Sequence, residues 1–121
     1  MVSSKADTQG GADDMRRIAQ VIRVKPEKLG LYLQLHKNPW KAVSEQIERC
    51  NIRNYSIYLF GDQLFSYFEY VGEDYDGDMA RMAAHEETKL WWSLTDPCQQ
   101  PVEGAREGEW WHEIEEVFHQ D

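Results

Sequence analysis

The sequence predicts an α+β domain in which an antiparallel sheet carries its helices on one face. Three observations lead there. Runs of alternating apolar and polar side chains recur along the chain, other segments show apolar positions at helical spacing, and the two kinds follow one another as strand, helix, strand, strand, helix, strand. With 121 residues the chain suffices for one core and is too short for two.

The first strand is read at Ile18 to Val24, where Ile18, Gln20, Ile22 and Val24 alternate with Ala19, Val21 and Arg23, and Lys25-Pro26 ends the pairing. From Pro26 the apolar positions Leu29, Tyr32, Leu33 and Leu35 take helical spacing, with Pro26 in the first turn and Glu27 near the positive end of the dipole. This helix cannot run on through Pro39. Asn38 as N-cap and Pro39 as first helical residue are expected to start a second segment, carrying Trp40, Val43 and Ile47 and closing around Cys50-Asn51. Asn54 to Phe60 and Leu64 to Val71 alternate on either side of Gly61-Asp62 and read as an antiparallel hairpin. Glu73 to Ala84 and Glu86 to Leu94 are helical in spacing, and Thr95-Asp96-Pro97 ends the second of them. Gln99 to Gly108, with Pro101, Gly104 and Gly108 and no period, reads as a loop. The tail fits both periods; a last strand over Ile114 to His119 is the expectation.

This order is that of a ferredoxin-like split β-α-β unit, a four-stranded antiparallel sheet with the helices on one face. The uncovered face then calls for a ligand cavity, a second subunit, or both, so a homodimer is expected.

Thirteen Lys and Arg against 22 Asp and Glu give a net charge of -9, which repels phosphate backbones and anionic membrane surfaces, so neither nucleic acid nor membrane is an expected partner. Cys50 and Cys98 lack the spacing of a metal or redox pair, and no long apolar span or signal peptide stands out; a reducing cytoplasm fits. Residues 1–14 are poor in apolar side chains and are expected to form a flexible tail, leaving 15–121 as a single domain. His85, His112 and His119 have no metal-ligand spacing, and the acidic run Glu73, Asp74, Asp76, Asp78 lacks the order of a calcium loop, so it is read as a solvated helix start.

Chemistry concentrates around Tyr32, His36 and Trp40, spaced four apart. On a continuous helix they would share one face, a stripe suited to a hydroxyl-rich ring; the same spacing also suits packing in a core. Histidine is the side chain whose ordinary pKa lies near neutrality. Two further groups stand with the stripe: Asn54-Tyr55-Ser56-Ile57-Tyr58-Leu59 and Trp91-Trp92-x2-Thr95-Asp96, followed at the end by Glu115-Glu116-Val117-Phe118-His119. Together these motifs, spanning roughly Met15 to His119, resemble the L-rhamnose mutarotases. The resemblance implies a dimeric ferredoxin-like α/β barrel and interconversion of the anomers of a 6-deoxy-hexose without cofactor or metal. It implies His36 as proton donor and Tyr32, Tyr55, Trp91 and Trp92 as sugar-binding residues, with Trp40 as a candidate pocket wall. Pro39-Trp40-Lys41-Ala42-Val43 departs from the family's Ile-Trp-Pro-Glu-Leu pattern, and Asp96 to Pro101, with Glu109-Trp110-Trp111, replaces a family loop. L-fucose is therefore the nearest alternative to L-rhamnose. A cofactor-free monooxygenase of the same fold and a non-catalytic sugar-binding dimer are the alternatives from other classes.

Overall fold

The computed structural model describes residues 15–121; the tail expected over Met1 to Asp14 lies outside them. Strand β1 (Arg16–Val24) pairs along its length with β3 (Gln63–Tyr70), which in turn pairs with β2 (Ile52–Phe60), all antiparallel. On the other edge of β1 lie two short strands in line: β4 (Gln99–Gln100) against Arg23 and Val24, and β5 (His112–Ile114) against Ala19 to Val21. The sheet order β2-β3-β1-β4 is the ferredoxin-like one, with β5 completing the fourth position.

The edges of this picture correct the sequence reading. The stretch read as a loop opens with β4, too short for any period to register. The last strand is His112–Ile114, and 115–121 continues without regular structure. Beyond Ile114 the segment stays beside β1 through side chains: the Arg17 guanidinium holds Glu116 through two bonds of 2.9 and 3.0 Å.

Helix α1 (Leu29–Lys37) follows a 3-10 turn at Pro26–Lys28, and α2 (Lys41–Arg49) follows it. Pro39 does break the run, but the expected cap is wrong. Asn38 closes α1, its N–H donating to the Leu35 carbonyl at 3.3 Å, while Trp40, in extended backbone, caps α2. Helix α3 (Tyr75–Ala84) is capped by Asp74, whose carboxylate accepts from the Gly77 N–H at 3.1 Å, and α4 (Glu86–Thr95) is capped by the His85 ring. One member of the acidic run is not solvated: Asp78 is buried and accepts from Arg81, Tyr70 and Asn51.

Register decides which residues face the helices. Ile18, Gln20, Ile22 and Val24 of β1 lie beside Phe68, Ser66 and Leu64 of β3 on that face. In β2 the alternation is interrupted, because Asn54 and Tyr55 together oppose Phe68, between the pairs Arg53–Glu69 and Ser56–Tyr67. Asn54 takes φ of 52°, a value asparagine tolerates better than most, and its amide donates to Glu69 at 2.6 Å. The bulge brings Ile52, Tyr55, Ile57 and Leu59 to one face. Two separate apolar clusters form there, one around Ile22, Val24, Tyr32, Leu64 and Cys98, the other around Ile18, Ile52, Phe68 and Tyr70.

Candidate functional site

Between the sheet and the helices lies a cavity of about 760 Å³, roomy for one monosaccharide and lined from every helix and most strands. All six residues singled out from the sequence line it: Tyr32, His36, Trp40, Tyr55, Trp91 and Trp92. The structure brings them together from three elements, α1, β2 and α4, and from Trp40 between the first two helices.

His36 sits in the last turn of α1. Its Nδ1 is 2.9 Å from the Tyr32 carbonyl oxygen, which can only accept, so Nδ1 carries a proton and Nε2 is the nitrogen left to exchange one. The ring packs at 4.3 Å from that of Tyr32 and meets Trp91 edge-on at 5.3 Å. Trp40 is beyond the break and not on the same helix, but Trp91 meets it too, edge-on at 5.3 Å. The expected stripe is thus restored across the kink by a residue of α4. Trp91 is buried and Trp92 is partly exposed, as neighbours on a helix should differ, yet both reach the cavity.

Tyr32 is buried, and its hydroxyl accepts from Gln99 Nε2 at 3.3 Å, while Gln99 Oε1 accepts from the Trp110 indole N–H at 3.0 Å. This relay orients the phenol and leaves its own O–H to donate. Burial raises the Tyr32 pKa far above the ordinary tyrosine value, so the hydroxyl stays a donor. Tyr55 is 44% exposed as a whole, but loss of water around its hydroxyl pushes its pKa up to about 12, with a further push from Tyr75. Tyr55 stands edge-on to Phe68, ring centres 5.7 Å apart, where the bulge has turned it.

Sequence reasoning missed Gln99, Trp110 as its partner, and Asp96. The first lay in an aperiodic stretch, and nothing in spacing marks a glutamine that bonds a residue 67 positions away. Asp96, part of the Trp91 to Asp96 motif and of the helix stop but given no role of its own, lines the cavity, and loss of water around it raises its carboxyl pKa. The remaining histidines are accounted for locally: His85 bonds Thr88, His112 bonds Glu109 and His119 bonds Asp121. Among the described residues no group of three or more His, Cys, Asp or Glu could hold a metal ion.

A buried hydroxyl donor, an imidazole with one nitrogen committed to the backbone, and several indole faces in one cavity are equipment for binding a polyol and moving its protons. Comparison with known proteins agrees. A protein of the UPF0734 group from Dictyostelium discoideum is 30% identical over 116 residues, covering 89% of this chain and 92% of its own. An L-rhamnose mutarotase of Shouchella clausii is 28% identical over 107 residues, covering 87% and 98%. In fold, the chain is similar to the crystal structure of an L-rhamnose mutarotase from Formosa agariphila, with a TM-score of 0.66, 22% identity and coverage of 88% and 99%. The family model for L-rhamnose mutarotase matches residues 17–120, so that His36 and every cavity residue described above fall within it, and the chain belongs to the L-rhamnose mutarotase family.

Proposed function

We propose that this protein interconverts the α and β anomers of a 6-deoxy-hexose, L-rhamnose first, by acid/base opening and reclosure of the pyranose ring. The observation that carries this is the His36 ring, tethered through Nδ1 to the Tyr32 carbonyl, with Nε2 available in a cavity of hydroxyl and indole groups. In the reaction the doubly protonated His36 ring gives its Nε2 proton to the ring oxygen as the bond from that oxygen to C1 breaks, and is left neutral with Nδ1–H still on the Tyr32 carbonyl. The anomeric hydroxyl loses a proton, C1 becomes an aldehyde, and rotation about C1–C2 turns its other face to the new hydroxyl. Reclosure returns both protons. Asp96, which lines the cavity, is the carboxylate assigned to accept the anomeric proton. Tyr32, held by Gln99, and Tyr55 donate to ring hydroxyls, and Trp91 and Trp92 cover the apolar C–H side. Membership in the family supports the sugar. The hydrogen-bonding groups of Tyr32, His36 and Gln99, set in an otherwise largely apolar wall, supply partners for a polyol and favour the sugar over the monooxygenase alternative.

Saturation-transfer NMR on L-rhamnose and L-fucose tests the reading directly. Faster anomer exchange with protein than with buffer, unchanged by a chelator, is expected; no acceleration of either sugar, nor of other 6-deoxy sugars or pentoses, would overturn it.

We further infer a homodimer. The face of the sheet away from the helices carries Phe60, 76% exposed, and the segment after β5 presents Phe118, 77% exposed, aromatic surface that a second copy of the chain would cover. Both cysteines are unpaired and buried, which suits a reducing cytoplasm, and no described helix is long and apolar enough to cross a membrane.

A further inference from the structure

We propose that Gln20 and Ser66 form a second recognition point on the floor of the cavity, at which the Gln20 amide reads a sugar hydroxyl away from C1 and Ser66 positions that amide. The proposal rests on the mutarotase reading only in taking the ligand to be a monosaccharide.

The floor is built from rows of cross-strand neighbours. Ile22 pairs with Leu64 in one row and Ile18 with Phe68 in another, and these rows belong to the two separate apolar clusters. The row between them is Gln20 opposite Ser66, with Ile57 next to Ser66 on β2. A strand face packed only for stability would continue the apolar pattern. Here the seam between two hydrophobic clusters is polar on both strands.

Gln20 lines the cavity. Ser66 is 3% exposed, and its hydroxyl is buried with no hydrogen-bond partner among the described residues. A buried hydroxyl without a partner is costly, so its retention calls for a state in which it is paired. Directly opposed residues have Cβ atoms about 4.5–5.5 Å apart, within reach of a glutamine amide. That amide has an acceptor and two donors, enough to bond Ser66 Oγ on one side and a ligand hydroxyl on the other. His36 stands on the helix wall and Gln20 on the sheet floor. A ring held between them presents its reacting oxygens to one and a secondary hydroxyl to the other.

The experiment measures anomer exchange and equilibrium binding of L-rhamnose and its 2-, 3- and 4-deoxy analogues for the parent protein, Gln20→Leu, Ser66→Ala and the double variant. Each single substitution should raise the KM for L-rhamnose about fivefold or more while kcat stays within about twofold, the signature of lost ground-state binding. One of the three analogues should show no such increase, because the hydroxyl it lacks is the one read. Ser66→Ala should add little in the Gln20→Leu background, since Ser66 acts through the amide. Without sugar, Ser66→Ala should melt no lower than the parent. Folded variants with unchanged KM, or with equal rises for every analogue, would overturn the proposal. If the parent exchanges no sugar, the mutarotase reading fails by itself, and the binding constants for L-rhamnose still decide whether Gln20 and Ser66 read it. Should Gln20→Leu not fold, Gln20→Glu, which keeps an acceptor but loses the donors, replaces it with the same expectations.

Discussion

His36 is held by a bond that its own helix supplies. Because Nδ1 donates to a carbonyl one turn back, the ring orientation does not depend on a distant partner, and the free nitrogen is presented wherever the helix end points. His36→Asn should therefore keep fold and much of the sugar affinity while slowing anomer exchange about a hundredfold or more, the usual contribution of a placed acid or base. Parent-like exchange in a folded His36→Asn protein would mean the proton donor lies elsewhere. Tyr32→Phe and Tyr55→Phe should act mainly on KM. Tyr32→Phe should be the larger of the two, because it also strands the buried Gln99 amide, whose Nε2 bonds that hydroxyl. At this scale the sequence was informative where chemistry is local. The spacing of Tyr32 and His36 marks both the shared face and the backbone bond between them. It says nothing of Gln99 or Asp96, which reach the cavity through the tertiary path of the chain.

Among elements, the joint between the sheet and α3 is the most demanding. Tyr70, at the end of β3, donates to Asp78 of α3 and accepts from the Asp74 N–H at 2.9 Å; Asn51, at φ of 67°, donates to the same Asp78 carboxylate at 2.8 Å. Hydrogen bonds from Arg81, Tyr70 and Asn51 hold the Asp78 carboxyl down at about 2. A carboxyl with a depressed folded-state pKa contributes stability that is complete above its unfolded value, near 3.8, and is lost as pH falls toward 2. Asp78→Asn should thus flatten the fall in stability across that window, removing up to about 2 kcal/mol of pH dependence, which urea titrations at a series of pH values would read. Unaltered pH dependence would show that Asp78 is not coupled to folding. The same joint leaves no room at Gly72, where a Cβ would lie 2.5 Å from the Tyr70 hydroxyl and 2.7 Å from the Asn51 amide. Gly72→Ala should cost about 1–3 kcal/mol, seen as a lower urea midpoint. Neither the bulge nor this joint could be read in advance. The strand alternation of Tyr55, Ile57 and Leu59 was visible, but one extra residue at Asn54 shifts which side Ile52 shares with them, and only the pairing with β3 reveals it. In the same way, Asp78 looked like one more acid at a helix start until Tyr70 and Asn51 were brought to it.

For the molecule as a whole, the ferredoxin-like order was legible because it depends on long elements with clear periods, whereas β4 and β5, two and three residues long, have none to show. Those two short strands have a consequence for assembly. The β1 edge they cover is filled only in part, and β2 is the opposite edge of the sheet. The helices and cavity occupy one face, and the other carries the exposed Phe60 and, from the segment after β5, Phe118, the surface assigned to the proposed dimer. Light scattering of the parent protein at micromolar concentration should give the mass of two chains. Replacing both by charge, Phe60→Asp with Phe118→Asp, should shift that mass to a single chain, because each buried carboxylate facing apolar surface carries a desolvation cost with no partner to offset it. The signs of the two outcomes separate assembly from folding: circular dichroism should remain that of the parent while the mass halves. A parent protein that is monomeric and fully active would mean that this face is tolerated in water and that the cavity is complete within one chain.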